Sequence, residues 1–79
     1  MPQIKVYSTP ACPYCHTVKA FLDERGFDYE DVDVAEDARA RDEMVQKTGQ
    51  MGVPVVEIDG QIIIGFDRER ISQILNIKD

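Results

Sequence analysis

The sequence predicts an α/β domain of order β-α-β-α-β-β-α, a four-stranded mixed sheet flanked by three helices. Three observations carry that expectation. Apolar residues switch along the chain between an alternating period and a helical one. The first β-α-β stretch calls for a parallel strand pair with a right-handed crossover. Asp59-Gly60 then joins two β-rich runs as a two-residue hairpin. With 79 residues, a single domain spanning 1–79 is expected, without room for a separate cofactor domain.

Gln3 to Ser8 reads as the first strand, Ile4 and Val6 on one face and Lys5 and Tyr7 on the other. Ser8-Thr9-Pro10-Ala11 breaks it. From Pro13 to Arg25, Cys15, Val18, Phe21 and Leu22 recur at helical spacing, and Pro13 suits the first helical position because its missing N–H would have no partner there. Gly26-Phe27 suits a left-handed helix end. A second strand runs from about Asp28 to Val34, Val32 and Val34 sharing a face. Glu36 to Thr48 is helix-prone, with Ala38, Ala40, Met44 and Val45 as its buried side, Glu36 and Asp37 in its first turn, and Gly49 closing it. Val53–Ile58 and Gln61–Ile64 form the hairpin. Asp67 caps a last helix with Ile71, Ile74 and Leu75 on its apolar stripe.

Composition removes several function classes. Fifteen acids against nine Lys and Arg leave a net charge of −6, which repels nucleic-acid phosphates and anionic membranes. No run approaches the ~20 apolar residues of a spanning helix. The start of the chain lacks the apolar stretch of a secretory signal, so the cytoplasm is the expected address. Two cysteines are too few for a disulfide scaffold, and too few alone for a four-ligand zinc site.

Those two cysteines lie in Cys12-Pro13-Tyr14-Cys15, at the start of the first predicted helix. One turn separates them. Cys12 can point out of the helix end, while Cys15 lies toward the face of Val18 and Leu22. A disulfide exchanger needs that asymmetry: an outer thiolate that attacks, an inner thiol that resolves the mixed disulfide. The positive helix end favours the outer thiolate, and N–H groups beyond Pro13 can donate to its sulfur. Rival readings exist for the same residues. Cys12 to His16 spells the C-x-x-C-H of haem attachment, with Met51 as an axial candidate, but haem needs an export route and more space. Zinc would need His16 as a third ligand, and adjacent Cys15 and His16 point apart on a helix. Two inert buried cysteines fit poorly with a turn position for Cys12. His16 itself reads as a partly exposed helix residue without an assigned duty.

Pro54 opens a predicted strand inside the sheet, where proline is normally excluded unless it begins the strand. A cis Val53–Pro54 bond fits this position at a cost of only ~0.5–1 kcal/mol. Against the Cys12 turn, the Val53 backbone would then offer an extended substrate a strand to pair with.

The chain resembles the glutaredoxins over nearly its whole length, on Cys12-Pro13-Tyr14-Cys15, on Val53-Pro54 as a cis-proline motif, on Thr48-Gly49 and on Ile64-Gly65. The resemblance implies the thioredoxin-like fold and a dithiol–disulfide oxidoreductase, with Cys12 nucleophilic, Cys15 resolving and a redox-active Cys12–Cys15 disulfide. It implies protein disulfides as substrates, no bound cofactor and a monomer, with glutathione, where used, as a cosubstrate. Contacts to glutathione or substrate would come from Tyr14, Val53, Pro54, Gly65, Phe66 and Glu69.

Departures from the family pattern gather on the glutathione side. Thr9 stands where a basic residue is usual, and Met51 where Arg or another polar residue is common. Gly65-Phe66 replaces a glycine pair, and Glu69 aligns with an Asp that holds the glutamyl end. Gly65-Phe66 is more like the redoxins that serve ribonucleotide reductase and are recharged by thioredoxin reductase. Glutathione and thioredoxin reductase are thus the two candidate donors. The alternative of another class is an iron–sulfur carrier, with Cys12 and glutathione from two chains holding a [2Fe–2S] cluster.

Overall fold

In the computed structural model, which describes residues 2–77, the first alternating run forms strand β1 (Ile4–Ser8), inside a sheet of order β2-β1-β3-β4. Strand β2 (Glu30–Asp33) lies parallel to β1; β3 (Val55–Ile58) is antiparallel to β1, and β4 (Gln61–Ile64) antiparallel to β3. Helices α1 (Pro13–Glu24), α2 (Ala38–Thr48) and α3 (Arg68–Leu75) complete the expected order. This is the thioredoxin-like arrangement.

Alternation along β1 sorts the core into two layers. Ile4 and Val6 pair with Ile58 and Val56 and pack with Val18, Phe21 and Leu22 of α1 and Ile71 of α3. Tyr7 points the other way and packs with Val34, Val55, and Ala40 and Met44 of α2. A one-residue slip of β1 would exchange the two sets, so the buried faces fix the register.

Local chemistry ends the elements. Gly26, at φ +75°, follows α1, and the Phe27 N–H returns to the Leu22 carbonyl at 3.0 Å while the Gly26 N–H bonds Asp23 at 3.1 Å. Asp59 and Gly60 both take positive φ, 49° and 88°, the twist a two-residue hairpin requires. Asp67 caps α3 by accepting the Arg70 N–H at 3.1 Å. Among the described residues, no helix is long and apolar enough to cross a membrane.

Several boundaries differ from expectation. The first strand starts at Ile4, and Gln3 instead pairs with the hairpin tip through Asp59. Helix α1 ends at Glu24, with Arg25 as its cap. Strand β2 spans only Glu30–Asp33, because its register against β1 begins at Lys5↔Glu30 and ends at Ser8↔Asp33. Asp37 is the cap of α2, accepting the Ala40 N–H at 3.1 Å, so Glu36 lies before the helix and not in its first turn. Glu36 is held elsewhere: its N–H and that of Ala35 donate to Asp33. Ala38 is exposed and Val45 half-buried, which leaves Ala40 and Met44 as the buried side of α2. Strand β3 begins at Val55, which places Val53 and Pro54 in the preceding loop.

Candidate redox site

The turn between β1 and α1 delivers Cys12 to the helix end. Its N–H bonds the Thr9 carbonyl at 3.3 Å, and its extended backbone (φ −95°, ψ 110°) makes it the cap residue of α1, with Pro13 next. The Cys15 N–H donates to Cys12 Sγ at 3.2 Å. Of the N–H groups beyond Pro13 expected to reach that sulfur, the one on Cys15 does so among the described residues. A donated N–H stabilises negative charge on the sulfur it meets. The Cys12 thiol in turn donates to the Val53 carbonyl at 3.8 Å, joining the cysteine turn to the loop before β3. His16 has a local duty: its Nε2 lies 3.0 Å from the Pro10 carbonyl and ties the turn to the helix.

Cys15 is completely buried, whereas Cys12 is partly exposed. Burial, joined by the hydrogen bond and charge of Cys12, pushes the Cys15 thiol up from 9.0 to about 11. Folded protein therefore keeps this proton up to about pH 11, while the unfolded chain loses it near 9.0. The contribution to stability is complete below that lower value and declines as pH rises between the two. For the reduced protein, the urea midpoint is expected to fall more between about pH 8 and 10.5 than that of Cys15→Ser, which lacks the thiol. Parallel curves for the two proteins would refute this.

The Val53–Pro54 bond is cis as expected, although Pro54 lies in the loop before β3 and does not open the strand. Pro54 is buried, and its carbonyl accepts the Gly65 N–H at 2.8 Å, so the residues before α3 are pinned beside this loop. Gly65 takes φ +79°, a conformation costly for any residue with a Cβ. Tyr14 and Met51 are two-thirds exposed, and Ile64 about half. Phe66 sets its ring edge-on to Phe21, centroids 5.7 Å apart, so its side chain belongs to the α1–α3 layer. Glu69 is exposed in the first turn of α3. Among the described residues, no hydrogen bond or ion pair links Glu69 to the cysteine turn.

Two polar networks escaped the sequence reading. Lys47 donates to Glu57 at 2.7 Å and to the buried Tyr7 hydroxyl at 3.2 Å, and these bonds push its ammonium up to about 12. This group pins α2 to the sheet. On the α1 side, Ser8 Oγ donates to Asp31 at 2.8 Å, and Lys19 Nζ bonds the same carboxylate at 3.0 Å. Burial alone would raise Asp31, but Ser8 and Lys19 outweigh it and hold the carboxyl below its usual range.

An accessible sulfur stabilised by an N–H, with a buried thiol one turn behind it, can accept a disulfide from a substrate and close it within the chain. On a thioredoxin-like scaffold that defines a thiol–disulfide oxidoreductase. The glutaredoxin family model matches residues 4–63, and the chain belongs to the glutaredoxin family. It is similar to an uncharacterised glutaredoxin-like protein of the rubredoxin operon of Clostridium pasteurianum, 46% identical over 72 residues that cover 91% of this chain and 96% of the relative. A crystal structure of the thioredoxin-like protein BC3987, in a mutant form, superposes with TM-score 0.91 at 41% identity, covering 99% of this chain and 100% of that one. NrdH-redoxin from Escherichia coli, a glutaredoxin-like protein with a thioredoxin-like activity profile, superposes with TM-score 0.80 at 29% identity, covering 91% and 93%. The chain is accordingly a glutaredoxin-like thiol–disulfide oxidoreductase that works with a reductant.

Proposed function

We propose that this protein reduces disulfides of other proteins through Cys12 as nucleophile and Cys15 as resolving thiol, and that it takes electrons poorly from glutathione. The observation that carries the roles is the contrast between a partly exposed Cys12 sulfur, 3.2 Å from a backbone N–H, and a Cys15 with no exposed surface. Cys12 attacks the substrate disulfide; one substrate sulfur leaves and the other stays bonded to Cys12. Cys15 then displaces it, forming the Cys12–Cys15 disulfide that a donor must reopen. Alongside the thiol–carbonyl contact at Val53, the backbone N–H of that residue has no partner among the described residues and suits an extended substrate segment. A reducing compartment such as the cytoplasm suits thiols that must be regenerated.

The surroundings of Cys12 support the donor assignment. Glutathione is an anionic tripeptide, and the positions beside the site hold Thr9 and Met51 where a cation or polar group would meet it. Tyr14, Met51 and Ile64 offer exposed apolar surface, which suits a protein partner. The likeness to NrdH-redoxin, with its thioredoxin-like activity profile, supports thioredoxin reductase as the more effective donor.

Recycling of the oxidised protein by glutathione with its reductase, side by side with thioredoxin reductase, tests this reading. Glutathione is expected to work with a high apparent Michaelis constant. Met51→Arg is expected to improve glutathione use by a few-fold to about a hundredfold, the span of ~1–3 kcal/mol for a charged hydrogen bond. High salt should erode the gain. Efficient glutathione use by the parent, unmoved by Met51→Arg, would refute the donor assignment.

A further inference from the structure

Ser8 is buried, at 2% exposure, and it lies at the end of β1 that leads into the cysteine turn. On the same face of the sheet as Val6, its hydroxyl donates to Asp31 of the neighbouring strand. Asp31 also holds Lys19, whose side chain is only 18% exposed. Lys19 follows Cys15 by four residues, so the two occupy one flank of α1, a turn apart. An ordinary surface lysine swings freely in water. This one is bonded along the helix that carries the resolving thiol, on a ligand anchored from inside the sheet. His16 adds a second positive influence on Asp31.

We propose that Lys19 is a positioning residue for the resolving step, a cation fixed by Asp31 and Ser8 that stabilises the thiolate of Cys15 as it forms. This rests on Cys15 as the resolving thiol. In that step the Cys15 thiol loses its proton and its sulfur attacks Cys12. The Cys12–Cys15 bond forms, the bond from Cys12 to the substrate sulfur breaks with its electron pair, and the proton shed by Cys15 ends on that leaving sulfur. A buried thiol gives up its proton reluctantly, and a nearby cation offsets the burial. Lys19 does lower the otherwise raised Cys15 thiol. Of the titratable groups, Cys12 at the cap of α1 and Lys19 on α1 act on Cys15, and Lys19 and His16 both act on Asp31 of β2. From β1 comes only the Ser8 hydroxyl, since Tyr7 faces the other layer, and Val53-Pro54 adds no titratable group.

Dithiodipyridine tests the step and supplies its own control. One equivalent releases thiopyridone twice from the reduced protein: first when Cys12 attacks, then when Cys15 resolves, its proton passing to the departing thiopyridone. Lys19→Met is expected to slow the second release about tenfold near neutral pH and to raise its pH midpoint by about one unit. The first release should stay within about twofold, and Lys19→Arg should recover most of the second. Asp31→Asn loosens the anchor but keeps the cation, and is expected to slow the second release by a smaller factor than Lys19→Met, with the first release again unchanged. A purely structural ion pair would instead slow both releases together, and Lys19→Arg would not restore the second selectively. Equal slowing of both releases, or an unchanged second release in Lys19→Met, overturns the proposal, and acceleration in Asp31→Asn overturns the anchoring by Asp31. Should Lys19→Met not fold, Lys19→Gln is read in the same way. A second release that persists in Cys15→Ser would refute the resolving role of Cys15 itself, a failure distinct from that of Lys19.

Discussion

Cys15→Ser is expected to stop after the first exchange and to carry its protein substrate as a stable mixed disulfide on Cys12. Cys15, the resolving thiol in the proposed mechanism, sits one helical turn from Cys12, with its own N–H 3.2 Å from the Cys12 sulfur. Reaction inside one chain at such separation corresponds to an effective concentration far above that of any thiol in solution. A serine hydroxyl offers neither the nucleophile nor the acidity to replace it. Turnover on protein disulfides should therefore fall by about a thousandfold or more. Glutathione mixed disulfides should suffer much less, because an external thiol can reach the exposed side of Cys12. Cys12→Ser should lose both activities. Intact-mass measurement of the trapped complex and steady-state assays on both substrate types decide the matter. Full turnover of Cys15→Ser on protein disulfides would mean that the two-cysteine route is wrong.

Much of this site is legible in the sequence alone, because its logic is local. Pro13 after Cys12 marks a helix start, and a helix start with cysteines three apart sets one outside and one inside. Gly26-Phe27 and Asp59-Gly60 announce their turns through backbone conformations that few residues tolerate. What escaped the sequence depends on pairing at a distance. The length of β2 is set by β1, so Asp28, Tyr29 and Val34 drop out of a run that looks like a strand. Near the start of α2, Glu36 and Asp37 both read as acids of its first turn, and Asp33 as part of the second strand; only the fold assigns the cap to Asp37 and the preceding turn to Asp33. Ser8 reads as a strand-breaking polar residue, yet it is buried because Asp31, twenty-three positions on, accepts its hydroxyl. The same holds for Tyr7 and Lys47, forty positions apart. Phe66, grouped in sequence with the glutathione contacts, turns its ring to Phe21 and packs in the core layer of α1 and α3.

Leu22→Ala is expected to expose Cys15 without disturbing Cys12. Leu22 is completely buried between α1 and the sheet, and its carbonyl also receives the Phe27 N–H that ends the helix. Truncation of a buried leucine costs about 2.7–5 kcal/mol. A chain of this length holds on the order of 4–12 kcal/mol in total. Because Cys15 has no exposed surface, a reagent such as iodoacetamide reaches it only when the packing over α1 opens. If that opening is global, its population follows the stability, and Cys15 labelling should rise about a hundredfold to several thousandfold. Cys12 already meets solvent and should change by less than about threefold while the variant stays folded. Mass mapping after brief labelling, together with urea unfolding of the same samples, links the two quantities. Were stability to fall by the expected amount while Cys15 labelling stayed unchanged, Cys15 would be opened by fraying of the first turn of α1. The shield over the resolving thiol would then be the cap at Cys12, and not the core that Leu22 fills.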